Sequence, residues 1–254
     1  MDLLPLVLLF AAAFAAGAVN AVAGGGTLIT FPSLIASGLT PKFANVTSTV
    51  AIWPGTVGGS LAYRREIGDR RKRTTALAIP SLLGALVGSI LLLQTSDQLF
   101  KAIVPYLIIF ASLLLAANSR LSKLATRAGV AATHADHIPP GMYIAIFCCG
   151  IYGGYFGAGL GIMTLAFMSI LAPDDIQHSN AVKGILAMLM NGVAVVIFSV
   201  FGPVQWLQAA VMAVAAIAGG YVGVALARRV PAGKLRMGIV AWGLIIGLKY
   251  LLFP

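Results

Sequence analysis

The chain is 254 residues long, 59% hydrophobic and only 9% charged, with a mean hydropathy of +0.96. A water-exposed domain carries roughly 25% charged residues, so composition excludes a soluble globular protein and predicts an integral membrane protein with no soluble domain of useful size. The net charge of +10 is not spread over a nucleic-acid-binding face, because thirteen of the 17 Lys and Arg fall in 64–73, 120–127 and 228–236. Short basic loops between apolar segments are a topology signal.

In chain order, the first apolar segment covers 3–22. It reads as a retained helix, because Asp2 stands where a signal peptide carries basic residues. A glycine cluster at 24–26 leads into 26–38, a segment too short to cross about 30 Å of hydrocarbon. Segments 43–63, 74–95 and 98–117 complete the first half, and a polar connector spans 118–139. The second half follows as 140–157, the short 159–172, 178–200, 204–227 and 235–253. Each short segment follows a glycine cluster and reads as a half-helix, a re-entrant piece or a short span. Cys148 and Cys149 are adjacent and cannot easily meet disulfide geometry, so they read as packing residues.

The halves repeat one another. Gly17-x6-Gly24-x-Gly26 recurs as Gly150-x6-Gly157-x-Gly159, and Asn45 recurs as Asn180. Gly84-x3-Gly88 recurs as Gly219-x3-Gly223; small residues at this spacing predict close helix packing. Equivalent loops differ in charge: 64–73 is basic and its counterpart 201–205 is uncharged, while 94–98 has no basic residue and 227–236 has four. Equivalent loops therefore face opposite sides. The expected fold is an all-α integral membrane protein of two inverted repeats, each of about five hydrophobic segments, giving 8–10 membrane segments. Its parts are an N-terminal repeat (1–117), a cytoplasmic connector (118–139) and a C-terminal repeat (140–254), with both termini outside. Lys42 and Lys249 stand against this orientation and are outnumbered.

Two constellations carry chemistry. Glycines in Asn20-x3-Gly24-Gly25-Gly26-Thr27 and Gly153–Gly161 allow sharp turns with uncovered N–H groups. A helix starting at such a break directs its positive dipole end at an anion. The second constellation opens the third segment of each half, where Asn45-Val-Thr-Ser48 aligns with Asn180-Ala-Val-Lys183. Asn can replace the hydration of an oxyanion, and Lys183 adds charge; an ammonium at helix centre costs about 2.5–3.5 kcal/mol on insertion scales and needs a partner or a wet cavity. Asn191 is a weaker candidate on the same helix. His134, Asp136 and His137 read as a solvated loop, and Asp174, Asp175 and His178 as a turn and helix start. Pro32, Pro54, Pro80 and Pro105 fall within apolar segments. No Gly-Lys-Ser/Thr phosphate loop, His-Glu-x-x-His or Gly-x-Ser-x-Gly occurs, so an enzyme, a metal and a cofactor are not expected.

The stretches GGGTLITFPSLIASGLTPKFANVTSTVAIWPGTVGGSLAYRREI and GGYFGAGLGIMTLAFMSILAPDDIQHSNAVKGILAML resemble the two repeats of the TauE/SafE sulfite exporter family, and the resemblance covers nearly the whole chain. It implies a multi-pass protein of the bacterial inner membrane carrying sulfite, sulfonates or related anions. The binding candidates it implies are Gly24, Gly25, Gly26, Thr27, Asn45, Ser48, Gly157, Gly159, Asn180 and Lys183, to which the first glycine cluster adds Asn20. One subgroup has Asn after the lysine, where this chain has Gly184. The expected activity is secondary transport of a small anion by alternating access; the alternatives are a passive anion channel and a non-transporting scaffold. A coupling proton or sodium, homo-oligomer formation, the direction of transport and the exact substrate stay open. Nucleic acid is not an expected partner; the lipid bilayer is.

Overall fold

The computed structural model describes residues 3–22, 25–61, 68, 70–130, 138–226 and 232–252, of which 21–22, 58–61, 118–130, 176, 223–226 and 232–235 are described by backbone alone. Ten long or short helices organise these residues: α1 (Leu3–Val22), α2 (Thr27–Ala36), α3 (Pro41–Leu61), α4 (Arg71–Gln94), α5 (Asp97–Val130), α6 (Pro140–Tyr155), α7 (Leu160–Leu171), α8 (Ile176–Phe201), α9 (Trp206–Leu226) and α10 (Ala232–Leu252). Helices satisfy every interior backbone group internally, the condition hydrocarbon imposes. By length and composition, the described stretches Leu3–Asn20, Arg71–Gln94, Asp97–Ala117 and Gln177–Phe201 are long and apolar enough to cross a membrane.

Among the described residues the ten apolar segments form ten helices, with one marked difference of extent. The fifth runs on to Val130, well into the polar connector. Its continuation is rich in Ala, Leu, Lys, Arg and Ser without Gly or Pro until Gly129, so nothing in the sequence breaks the helix where hydrophobicity stops. The four prolines Pro32, Pro54, Pro80 and Pro105 all lie inside helices.

Glycine contacts fix the helix directions. A methyl group placed on Gly84 would lie 2.2 Å from the Phe147 carbonyl oxygen, and one on Gly88 would lie 2.0 Å from that of Ile151. Residue numbers rise together along this contact, so α4 and α6 run parallel. The same contact recurs in the other half, with Gly219 at 1.9 Å from the Phe14 carbonyl and Gly17 at 2.1 Å from that of Ala216. The fourth helix of each half therefore packs backbone to backbone on the first helix of the other. These glycines act as a close-packing seam, as their spacing predicts. Conversely, α10 runs antiparallel to α5, because Gly243 meets Ser112 and Gly247 meets Ile109 and Pro105.

These directions sort the loops into two ends. At one end the α2–α3 turn meets the α4–α5 turn, where the Lys42 ammonium donates to the Leu93 and Thr95 carbonyls at 2.8 Å each. The α8–α9 turn joins them through the Gln205 N–H, which donates to the Thr47 hydroxyl at 3.1 Å. At the other end Arg70, before α4, meets Asp174 between α7 and α8. Equivalent turns thus lie at opposite ends, as an inverted repeat requires. The departures of α3, α5 and α9 toward the basic stretches gather at the Arg70 end, hereafter the basic end.

The short helices return instead of crossing. Helix α6 runs parallel to α4 from the basic end, and its last residue, Tyr155, reaches Thr95 at the far end (Oη to Oγ1, 3.3 Å). Helix α7 then comes back about 18 Å for its 12 residues, ending where Arg73 donates to the Ala172 carbonyl. Helix α2 is the counterpart, 10 residues long. Each half is a helix–break–return hairpin followed by three full-length helices. Helix α2 packs chiefly on α1 and α3, and α7 on α5, α6 and α8.

Candidate functional site

The second break is built from Phe156 to Gly159. Gly157 (φ +77°) and Gly159 (φ +74°) occupy the left-handed region that side chains disfavour, so two glycines turn the chain within four residues. The Tyr152 hydroxyl donates to the Ala158 carbonyl at 2.5 Å and ties the turn to α6. Helix α7 then starts with Gly159 as its N-cap and no side-chain hydrogen bond capping it. Backbone bonds close its first turn, the Leu160 N–H donating to the Gly157 carbonyl at 3.2 Å and the Ile162 N–H to that of Gly159 at 3.0 Å, while the aligned dipoles favour negative charge at this end.

Three polar side chains converge on this break. Asn45 from α3 donates through Nδ2 to the Tyr155 carbonyl at 2.9 Å. Asn191 from α8 donates to its own Ala187 carbonyl at 2.8 Å, which leaves its Oδ1 facing Gly157, 3.4 Å from where a Cβ would sit. Lys183 lays its aliphatic stem along Gly161 in the first turn of α7, 3.6–3.9 Å from a Cβ built there. Its ammonium donates to Asn180 Oδ1 at 3.0 Å. A methyl group at 161 would make ordinary van der Waals contact with that stem.

The first break is closed more tightly. The Gly26 N–H donates to Asn20 Oδ1 at 2.8 Å, so Asn20 fastens the start of α2 to α1. Gly25 is left-handed (φ +92°), and a methyl on Gly26 would lie 2.7 Å from the Ala16 carbonyl oxygen. Thr27 is buried as the first residue of α2. One turn on, the Thr30 hydroxyl approaches Gly26 O at 3.3 Å and shares a 2.6 Å hydrogen bond with the Ser48 hydroxyl. Ser48 is thus engaged with α2, as Lys183 is with α7.

The two groups are linked through the centre. Phe31 of α2 packs edge-on against Phe156 of the second break, with ring centroids 5.5 Å apart. The Trp53 indole N–H donates to the Met188 carbonyl at 3.0 Å, across 135 positions. That separation equals the Asn45-to-Asn180 repeat offset, so α3 touches its own counterpart on the pseudo-two-fold. Gly192 makes room for the indole, 3.4 Å from a Cβ built there.

The candidates therefore fall into two clusters. One joins Asn20, Gly25, Gly26, Thr27 and Ser48; the other joins Asn45, Gly157, Gly159, Asn180 and Lys183. Asn45 crosses to the break of the other repeat, which register alone did not reveal. Gly24, His134, Asp136 and His137 lie outside the described residues. Thr30, Trp53 and Tyr155 escaped the sequence reading, because a hydroxyl or an indole in an apolar run carries no signal of its partner. Among the described residues no cluster of His, Cys, Asp or Glu has the makings of a metal site.

Also missed was an ion cluster at the basic end. Arg70 grips Asp174 with two hydrogen bonds (Nε to Oδ2, 2.6 Å; a terminal nitrogen to Oδ1, 3.0 Å), and Arg73 reaches Oδ2 at 3.3 Å. Asp174 and Arg73 are both buried. Burial pushes the Asp174 carboxyl upward, but hydrogen bonds from Arg70 and the Asp175 N–H, with the charge of both arginines, outweigh it and hold it below its ordinary value. Asp175 beside it caps α8, accepting from the Gln177 and His178 N–H groups, as the helix-start reading expects.

Comparison with known proteins fits this architecture. The family profile described as Sulfite exporter TauE/SafE matches residues 9–250. A "Probable membrane transporter protein" of Haemophilus influenzae is 27% identical over 86% of this chain and 83% of its own length. "Probable membrane transporter protein ORF9" of Sinorhizobium sp. is 27% identical over 86% and 81%, and "Probable membrane transporter protein YfcA" of Escherichia coli K12 is 27% identical over 86% and 80%. These names are those of membrane transporters, not enzymes. No solved structure matches the chain significantly. With its apolar helices, its duplicated breaks and a profile match over nearly its whole length, the chain belongs to the TauE/SafE sulfite exporter family of membrane transporters.

Proposed function

We propose that this protein is a secondary transporter of a small anion, a sulfur oxyanion or organosulfonate, in the bacterial inner membrane. The observation that carries the reading is Lys183, whose stem lies along the first turn of α7 and whose ammonium is held by Asn180, at a helix N-terminus that no side chain caps. A cation and a helix dipole aimed at one place, on a chain that breaks within an apolar bundle, suit an anionic ligand. Asn191 completes the polar lining beside Gly157, and the first break, with Gly26, Thr27 and Thr30, supplies the pseudo-symmetric wall. Alternating access then follows as rocking of one repeat against the other about the Trp53–Met188 crossing. The basic end faces the cytoplasm under the positive-inside rule.

The test is uptake into reconstituted liposomes of sulfite, short organosulfonates and matched carboxylates, with imposed proton or sodium gradients. Saturable flux of at least one sulfur anion is the expected result. Absence of saturable flux for every anion under every gradient overturns the proposal, and non-saturating currents assign a channel instead.

A further inference from the structure

The two Asn residues at equivalent positions differ in what faces their carbonyl oxygens. Asn180 Oδ1 accepts from the ammonium of Lys183, three residues on, at 3.0 Å. Asn45 lies 135 positions earlier, and the residue three on from it is Ser48. Asn45 is wholly buried. Its orientation is fixed because Nδ2 donates to the Tyr155 carbonyl, and a flipped amide would set oxygen against oxygen. Among the described residues, Asn45 Oδ1 then meets no protein donor. Buried acceptors are normally satisfied, and each exception calls for a cause.

Where the second repeat has a tethered cation, the first repeat has an unanswered carbonyl oxygen. We infer that Asn45 Oδ1 is a ligand of a monovalent metal cation of the sodium class, bound in the first repeat at the place that corresponds to the Lys183 ammonium. The oxygens nearby suit such an ion. The Tyr155 carbonyl lies on the Nδ2 side of the Asn45 amide and is taken by it, so it is not one of them. The Ser48 hydroxyl stands one turn along the same face of α3, joined to Thr30 at 2.6 Å. All are neutral. Divalent calcium and magnesium are bound through carboxylates, and the described carboxylates, Asp97, Asp174 and Asp175, lie in turns or a first helical turn at the bundle ends. Asn45 thus offers an acceptor to its ligand and not a donor, which places it on the cation side of the site instead of against the anion.

Coupling of that cation to anion movement rests on the transport reading, but its binding does not. The experiment is thermal unfolding of the purified full-length protein in sodium, potassium or choline chloride at equal ionic strength, without any anionic substrate added. The unfolding temperature of the wild type rises with sodium concentration as mass action requires. In Asn45→Ala the rise is lost. In Ser48→Lys, which supplies the tethered ammonium, the protein is insensitive to sodium. Should Ser48→Lys fail to fold, the reciprocal Lys183→Ser, which leaves Asn180 without its ammonium, acquires a steeper cation dependence than the wild type. A response to potassium in place of sodium upholds a monovalent site and changes only the ion. Identical unfolding in sodium, potassium and choline overturns the inference, as does a sodium response that persists undiminished in Asn45→Ala. Since no transport is measured, absence of anion flux leaves the cation site standing, and a failed cation response leaves the anion reading standing.

Discussion

Asp174→Asn tests the electrostatics of the basic end. In the wild type the carboxylate is 5% exposed and lies within 3.3 Å of two guanidinium groups, of which that of Arg73 is 2% exposed. Neutralising Asp174 leaves the Arg73 charge buried with neutral acceptors, among them the Ala172 carbonyl, and without its carboxylate partner. Breaking a buried pair from one side costs about 3–5 kcal/mol, a loss on the order of 10 °C in unfolding temperature for a chain of this length. The pH dependence has a definite sign. Because the folded-state carboxyl is held below its ordinary value, the ion cluster stabilises the protein at pH above the unfolded carboxylate range, and that stability disappears as pH falls through the folded value. The assay is thermal unfolding in detergent from neutral pH down to about pH 3, the lower part of the carboxylate range. The wild type should show a steeper acid-side loss than Asp174→Asn, and Arg73→Met combined with Asp174→Asn should recover part of the single-variant loss. Equal unfolding temperatures for wild type and Asp174→Asn at neutral pH, with parallel pH profiles, would refute the reasoning.

Other perturbations separate packing from chemistry. Gly219→Ala sets a methyl against a backbone oxygen at 1.9 Å and should cost about 1–3 kcal/mol as overpacking; Gly141→Ala, with open space around it, should be neutral, and chemical unfolding compares the two. Trp53→Phe removes the hydrogen bond at the α3–α8 crossing while the Met188 carbonyl keeps its place in the α8 helical ladder, so unfolding free energy should fall by about 0.5–1.5 kcal/mol. For orientation, cysteine placed at exposed Ser96 should react with an impermeant maleimide added to whole cells, whereas one at exposed Lys72 should react only after lysis, both on a background with Cys148 and Cys149 replaced; labels in the reverse order would invert the assignment.

Much of the fold was legible because hydrocarbon leaves the chain few choices. Apolar length gave the ten helices, and charge asymmetry between equivalent loops gave the inversion that the Lys42 and Arg70 contacts express. The seam glycines were readable from small-x3-small spacing, and their backbone contacts at Phe14 and Phe147 repeat it in both halves. What could not be read was partnership. Arg70 and Arg73 look like any topology-setting basic cluster until the fold brings Asp174, a hundred residues away, against them. Segment length alone could not show that α7 returns to the basic end, since a 12-residue helix is equally short whether it goes on or turns back. The hydrogen-bond polarity of Asn45 was hidden too: an amide offers donor and acceptor alike, and only the Tyr155 carbonyl decides which remains for a ligand.

The central claim is that Lys183 and the break before α7 hold a transported anion. Its most direct test is concentration-dependent uptake of a sulfur anion by proteoliposomes carrying wild type or Lys183→Met, at matched protein incorporation and with unfolding temperature checked for both. Loss of one charge-assisted contact of about 1.5–3 kcal/mol corresponds to roughly a 10- to 100-fold reduction in apparent affinity or rate. The account predicts saturable uptake by the wild type and a reduction of that size in the variant; uptake unchanged by Lys183→Met in a folded protein would contradict it.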